Sequence, residues 1–366
     1  RPYFLLKGAE GTIWNLTPHE TVPPRWHREP PPTQYWAPGQ YGQFARQYQT
    51  MPGTPPGQYN LTVAFFDEST LETVSVAGSF VTHEIDLGKV SVVRPSLTAN
   101  LDTLPIDFDR LGHLTNEIEL LGATLDRQQA APGEMLTITL FFYAYAKPAQ
   151  DEFVTLGLDG TSLSKLVEPT PGLSTSQWEK GDLWTGQHLI RVPADTSAGT
   201  HYWTASSSLA NEVSLGYVDI NTPNRLYEKP SIRDVSQLYF GNDIVLRGHE
   251  FKNSIKRGEI LDVKLLWQAL GTPDRSLNVF VHLENANGVV VAQHDGVPVN
   301  WSRPTPGWLP EEYIVDTHSV LIANKVLPGH HNIYLGMSDR STGLREPHTT
   351  GLSVDNRAYV GSVLIE

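Results

Sequence analysis

The chain has 366 residues, with 40 acidic and 27 basic side chains and a net charge of -13. Because this acidic excess is spread along the chain without long runs of one sign, the composition argues against a nucleic-acid or anionic-membrane surface. The chain contains no cysteine, which excludes disulfides, zinc-thiolate sites and thiol nucleophiles. No stretch approaches the length of apolar sequence that a membrane-spanning helix needs.

The pattern of turns and apolar runs predicts an all-β protein. Twenty-seven prolines and 30 glycines separate short apolar segments, which is typical of a chain with many turns. Segments such as YNLTVAFFD, LTITLFFYAYA and LDVKLLWQA alternate β-branched and aromatic residues with other residues, as half-buried strands do. Helical periodicity is weak throughout, so we expect antiparallel β-sandwiches.

A tryptophan and a turn glycine recur three times with the same separation of 21 positions. The pairs are Trp36 with Gly57, Trp178 with Gly199, and Trp308 with Gly329. Each glycine precedes a predicted strand, and a short Gly-containing strand follows, in LGKVSV, LGYVDI and VGSVLI. Recurrence of this kind is the signature of a tandem repeat.

The first repeat begins differently from the other two. Repeats two and three open with a strand, a Gly-Glu turn at Gly133 or Gly258, and a long strand. The chain instead opens with PYFLLKGAEGTIW, which aligns with the hairpin NVFVHLENANGVVV of the third repeat, Gly11 opposite Gly288. We therefore expect the first sandwich to lack its initial strands. Three explanations stay open: upstream residues of a longer protein, strands from another subunit, or a genuinely short variant.

The repeats predict three domains. They are residues 1-94, a β-sandwich that is incomplete at its N-terminus, followed by residues 95-221 and 222-366. Two linkers, residues 94–116 and 221–242, overlap these boundaries; they carry apolar residues, including Ile106 and Leu226, and we expect them to pack against a sandwich. The predicted architecture is a semi-rigid row of three immunoglobulin-like antiparallel sandwiches.

The third repeat carries a family resemblance. Its segments VFVHLENANGVVVAQHDGVPV, GWLPEEYIVDTH and LPGHHNIYLGMSDRSTGLRE resemble repeated β-sandwich modules of envelope proteins in Chloroflexus-type bacteria. Such modules often follow the membrane region of multi-pass proteins that resemble glycosyltransferases. The second repeat departs from the pattern at SSSLANE. The resemblance implies an extracytoplasmic, cell-surface location and an accessory role, and it brings no catalytic residues.

Aromatic residues are the candidates for binding. Because Trp36, Trp178 and Trp308 recur at one place in every repeat, we interpret them as structural. The non-recurring aromatics fall near sandwich ends, where recognition loops usually lie, and an exposed indole suits the apolar face of a sugar. The candidate ligand-binding residues are Trp26, Tyr35, Trp184 and Trp301.

Catalytic and metal motifs are missing from the sequence. The adjacent His330 and His331 would point to opposite faces of a strand and cannot chelate one ion simply. There is no HExxH, GxSxG, P-loop or dinucleotide fingerprint. The sequence therefore predicts no enzyme, no catalytic residue, no metal and no cofactor.

The leading hypothesis is a non-catalytic architectural or protein-interaction row of modules in a larger cell-envelope protein or assembly. One alternative is a set of carbohydrate-binding modules accessory to an envelope glycosyltransferase, and another is a strand-donating filament or surface-layer subunit. The expected partners are other protein subunits or the upstream part of the same protein, with envelope polysaccharide as a further partner. Nucleic acid and a direct membrane span are not expected.

Overall fold

The computed structural model describes residues 2–16, 37–39, 49–65, 84–96, 100–207, 212–349 and 353–366. The candidate residues Trp26, Tyr35 and Trp36 lie outside these ranges. The described residues form strands and three short 3-10 turns, at Leu101–Thr103, Thr175–Gln177 and Thr305–Gly307, and they contain no α-helix. The all-β prediction is confirmed.

The strands fall into three groups along the chain. The first group is β1 (Pro2–Lys7), β2 (Gly57–Phe65) and β3 (Glu84–Val92). The second group is β4 (Phe108–His113), β5 (Ile118–Leu125), β6 (Gln129–Ala130), β7 (Met135–Ala144), β8 (Val154–Leu158), β9 (Ser164–Val167), β10 (Leu183–Arg191), β11 (Gly199–Ser206) and β12 (Val213–Ile220). The third group is β13 (Asp234–Phe240), β14 (Ile244–Glu250), β15 (Ser254–Ile255), β16 (Ile260–Ala269), β17 (Leu277–Glu284), β18 (Val290–Gly296), β19 (Tyr313–Leu321), β20 (Gly329–Asp339), β21 (His348–Thr349), β22 (Ser353–Val354) and β23 (Arg357–Ile365).

The sheets repeat one strand order. The second group forms sheets ordered β10-β7-β5-β4 and β6-β12-β11-β8-β9. The third group forms β19-β16-β14-β13-β21 and β15-β23-β20-β17-β18, with β22 pairing with β23. Apart from the short strands β21 and β22, each strand of the third group occupies the place of its counterpart in the second. The recurrence seen in the sequence is thus also a recurrence of topology.

The first group reproduces the centre of the larger sheet of the third. Its order is β1-β2-β3. Leu6 pairs with Leu61 in this sheet, as Leu283 pairs with Ile333 in the third group. The turn glycines Gly11 and Gly288 have φ values of 82° and 74°. The alignment of the opening hairpin therefore matches the backbone geometry, although the second arm of this hairpin is reduced to one bridge between Lys7 and Ile13.

The chain divides into two compact units. One comprises Arg1–Gln128, Met135–Ile190 and Thr200–Asp219, and the other comprises Gln129–Glu134, Arg191–Gly199 and Ile220–Glu366. This division does not test the boundaries predicted for the three sequence repeats, and those boundaries stay a prediction.

The second unit has a sandwich core. Leu265 and Trp267 of β16 belong to one buried cluster with Val281 of β17 and Leu335 of β20. Because these residues come from two different sheets, the sheets pack face to face around them. This arrangement positions the loops at the sandwich ends, where the candidate site lies.

Among the strands that the structure describes, β3 is an exposed edge of the first sheet. It pairs with β2 on one side. Ile85, Leu87 and Val90 are 38%, 48% and 37% exposed. An edge strand with exposed apolar side chains presents main-chain groups on which another strand can pair.

Candidate functional site

The repeated tryptophans that the structure describes lie in the core. Trp178 and Trp308 are completely buried. Each indole Nε1 donates to a main-chain oxygen five residues earlier, 3.3 Å to Leu173 and 3.1 Å to Arg303. Burial with a satisfied N–H leaves no surface of either ring for a ligand. Both therefore occupy equivalent structural positions.

The recurring glycines differ in whether their backbone has a positive φ. Gly199 and Gly329 have φ values of 125° and 132°, whereas Gly57 does not lie in the left-handed region. Gly133 and Gly258, at the strand-opening turns, have φ values of 85° and 84°. A side chain at either turn glycine would be strained because L-residues rarely adopt these angles.

The structure places Trp184 in the interior, so the prediction that it binds a ligand has to be corrected. Its side chain is 1% exposed, and its Nε1 donates to Asp182 Oδ2 over 3.0 Å. The guanidinium of Arg94 lies 5.1 Å from the ring centroid. The sequence showed a non-recurring tryptophan on a strand, but could not show that a linker arginine covers it.

Trp301 is the exposed tryptophan of the described chain. It is 51% exposed, whereas the other tryptophans described are buried. It lies in the loop between β18 and β19, with the exposed Asn300 and Ser302 on either side. Of the two predicted ligand-binding residues that the structure describes, Trp184 and Trp301, it is the one at the surface.

The loop that carries Trp301 is a left-handed turn. Val299, Asn300 and Trp301 have φ values of 56°, 50° and 68°. Trp301 N donates to Val297 O over 3.0 Å, which closes the turn. Each non-glycine residue in this conformation costs on the order of 1–2 kcal/mol. Strain of this kind persists only where surrounding contacts hold it, and it clusters at functional sites.

The indole of Trp301 has two close neighbours. A Cβ atom added to Gly296, the last residue of β18, would lie 3.2 Å from Trp301 Nε1, so the ring rests closely against this glycine. The guanidinium of Arg340 lies 5.4 Å from the ring centroid. No carboxylate within the described ranges forms an ion pair with Arg340. We call Asn300, Trp301, Ser302 and Arg340 the Trp301 surface.

A buried polar network lies beneath this surface. Val299 N donates to Asp316 Oδ1 over 2.7 Å, and Trp267 Nε1 donates to Asp316 Oδ2 over 3.3 Å. His318 Nε2 lies 2.9 Å from the same Oδ2, and His294 Nδ1 lies 2.9 Å from His318 Nδ1. None of Asp316, His318 and His294 is among the binding residues predicted from the sequence. An available signal was the glycine, Gly186, at the position equivalent to Asp316 in the second repeat.

A separate cavity lies between loops of the second unit. Its volume is about 260 Å³, and Asp243, Asp274, Arg275 and Glu346 are among the residues that line it. Arg275 Nη2 donates to both oxygens of Glu346, over 3.0 and 2.9 Å. Because these two charges already satisfy each other, the cavity offers less to a ligand than the Trp301 surface.

The described ranges contain neither a membrane-spanning helix nor a group of side chains suited to a metal ion. No helix there has the length and hydropathy to cross a membrane. Likewise, no three histidine, cysteine, aspartate or glutamate side chains are grouped there so as to hold a metal ion.

Comparisons with known proteins identify no family. No family model matches the chain. No curated protein matches it either. Among solved structures, the Bacteroides ovatus mixed-linkage glucan utilization locus SGBP-B in complex with a mixed-linkage heptasaccharide is similar at 11% sequence identity and a TM-score of 0.17. The match covers 87% of this chain and 55% of that one, so the chain spans about half its length. The TM-score is too low to support a shared fold or function.

Proposed function

We propose that this chain is a non-catalytic, extracytoplasmic β-sandwich protein that binds a polysaccharide of the cell envelope through the Trp301 surface. The main observation in support of this proposal is that an exposed tryptophan lies in a left-handed turn of non-glycine residues. Such a conformation is costly, and a tryptophan at the surface forgoes the benefit of burial. The envelope location rests on the resemblance of the third repeat and is part of the proposal.

The chemistry of the Trp301 surface fits a sugar. The indole supplies an apolar face for the C–H groups of a pyranose, and Arg340 supplies up to five N–H donors beside it. Asn300 adds an amide that can donate to and accept from hydroxyl groups. Most ligand sites combine an apolar platform with a few polar groups in this way.

Affinity electrophoresis tests the proposal. Wild type and Trp301→Ala would migrate through gels containing soluble mixed-linkage β-glucan, xylan or polygalacturonate. We expect at least one polysaccharide to retard wild type and Trp301→Ala to lose that retardation. Tyr227→Ala is the matched control, because Tyr227 is also exposed, at 54%, but lies in the linker. Lack of retardation of wild type in all gels, or equal retardation of Trp301→Ala, would contradict the proposal.

A second candidate function is protein interaction by strand addition at β3. The observation in its favour is the row of exposed apolar residues on this edge strand. Main-chain pairing at an open edge is a recurring mode of assembly. If another strand pairs with β3, Val90→Lys should weaken self-association or partner capture in sedimentation experiments. Binding in the polysaccharide gels should not change.

A further inference from the structure

The left-handed turn needs support from outside itself. Val299 is β-branched, and for such residues a positive φ is an outlier. The turn's own hydrogen bonds join Trp301 N to Val297 O, Ser302 N to Val299 O and Arg303 N to Pro298 O, at 3.0 to 3.1 Å. The main-chain N–H of Val299 instead donates to the Asp316 carboxylate on strand β19. This bond ties the turn to the sheet.

Asp316 is a buried acceptor with three donors around it. Its side chain is 1% exposed, and an ionised carboxylate can only accept hydrogen bonds. The Val299 amide approaches one oxygen, while the Trp267 indole and the His318 imidazole approach the other. Buried carboxylates are retained where such donors compensate their lost hydration. The same donors also fix the direction in which Asp316 points.

A chain of hydrogen bonds runs from the carboxylate through both histidines. Because an ionised Asp316 can only accept, His318 Nε2 donates to it. His294 Nδ1 and His318 Nδ1, 2.9 Å apart, share the next hydrogen bond, with one nitrogen donating and the other accepting. His294 lies on β18 and His318 on β19, so this chain of hydrogen bonds joins strands of the two facing sheets.

At the equivalent position, the second repeat lacks the carboxylate and the exposed tryptophan. Relative to the repeated tryptophan, Gly186 stands where the third repeat has Asp316, and Pro171 stands where it has Trp301. A Cβ atom on Gly186 would lie 1.9 Å from Pro169 O, so the loop rests directly on the strand. His188, the counterpart of His318, has its Nε2 3.2 Å from that same oxygen. The carboxylate, the turn and the exposed tryptophan therefore occur together in the third repeat.

We infer that Asp316, oriented by His318 and His294, is a positioning residue that holds the left-handed turn and thereby presents Trp301 for binding. The inference rests on the proposed function, which supplies the binding role of Trp301. The dependence of the turn on Asp316 can be tested with no ligand at all.

Hydrogen exchange of the full chain tests this dependence. Asp316→Asn keeps the size of the side chain but turns an amide N–H₂ toward groups that are themselves donors. We expect the amides of Val299, Trp301 and Arg303 to exchange at least ~10-fold faster, while amides of β20 stay within about twofold of wild type. Asp262→Asn, an exposed aspartate of the same sheet, is the matched control and should change neither set.

Asp316→Gly provides a second variant. It introduces the glycine that the second repeat has at this position and, unlike Asp316→Asn, it places no amide N–H₂ group among the buried donors. Faster exchange confined to the turn in either folded variant supports the inference, and unchanged exchange there overturns it. If exchange rises throughout the sandwich in both variants, Asp316 supports the whole unit and the inference is also wrong.

Polysaccharide gels then separate this inference from the proposed function. If at least one of the three polysaccharides retards wild type, both Asp316 variants should lose that retardation as far as Trp301→Ala does. Retention of binding by a variant whose turn exchanges faster would overturn the presentation role. If wild type is not retarded by any polysaccharide, the proposed function fails while the exchange experiment still decides the role of Asp316 in the turn.

Discussion

At the scale of single residues, the surroundings of a tryptophan or histidine decide its role. Trp184 and Trp301 both lacked a repeated partner in the sequence, yet one is buried under Arg94 and the other is exposed. Two histidines at equivalent positions of the repeats also have different surroundings. His318 contacts a carboxylate, whereas His188 contacts a main-chain oxygen. Burial lowers the pKa of His188 to about 4, against a backbone hydrogen bond that acts to raise it.

This pKa predicts a loss of stability in acid. The unfolded chain takes up a proton on His188 near pH 6.5, whereas the folded chain takes it up only near pH 4. The unfolded state therefore binds more protons between these values, and stability falls as the pH falls through that window. The loss amounts to about 3 kcal/mol by pH 4. Denaturant unfolding of wild type and His188→Gln at pH 7 and pH 4 measures it.

His188→Gln removes this titration, so its unfolding free energy should fall by about 3 kcal/mol less than that of wild type over the same interval. Carboxylate titration is common to both proteins and cancels in the difference. His330→Gln, at an exposed position, should follow wild type. Equal pH dependence in wild type and His188→Gln would contradict the prediction.

At the scale of elements, the turns after Trp178 and Trp308 each receive an arginine from the preceding linker. Arg94 forms an ion pair with Asp182 and donates to Gln177 O over 2.8 Å. Arg225 pairs with Glu312 at 2.5 Å and donates to Gly307 O over 3.1 Å. Each carboxylate lies four residues after its tryptophan, and each carbonyl one residue before it. The linkers thus dock through one repeated contact.

The docked arginine of the second unit should matter for stability. Glu312 is completely buried, and Arg303 Nη2 also donates to it over 2.6 Å. Removing one partner of a buried ion pair typically costs 3–5 kcal/mol. We expect Arg225→Ala to lower the free energy of unfolding by roughly 3 kcal/mol in urea titrations.

Arg233→Ala is the control for this comparison. Arg233 pairs with Asp234 at 3.1 Å, but both side chains are about half exposed. Exposed pairs contribute 0–1 kcal/mol, so this variant should stay within about 1 kcal/mol of wild type. If Arg225→Ala costs no more than Arg233→Ala, the docked arginine does not stabilise the unit.

At the scale of the whole molecule, the division into two compact units predicts more than one thermal transition. Trp178→Ala should cost about 3–5 kcal/mol in the first unit, because it leaves a cavity in a packed core. Arg225→Ala acts in the second unit. Differential scanning calorimetry should show the two variants shifting different transitions, and one transition shifted equally by both would refute the prediction.

The all-β class, the repeated tryptophans and the glycine turns can be predicted from the amino-acid sequence alone. These features depend on local patterning: alternation along a strand, fixed spacing between turns, and positive φ at glycine. They could be read without knowing which strand lies beside which. The same logic identified Trp301 as a binding candidate, because it does not recur in the other repeats and falls near a sandwich end.

The surroundings of those residues depend on how the strands pack and could not be predicted in this way. Asp316 supports the turn because β19 places its carboxylate under residue 299, and His294 reaches His318 from the facing sheet. The burial of Trp184 depends on a linker arginine that is distant in sequence. Such contacts follow from strand register and sheet packing, which a single sequence does not encode in any local pattern.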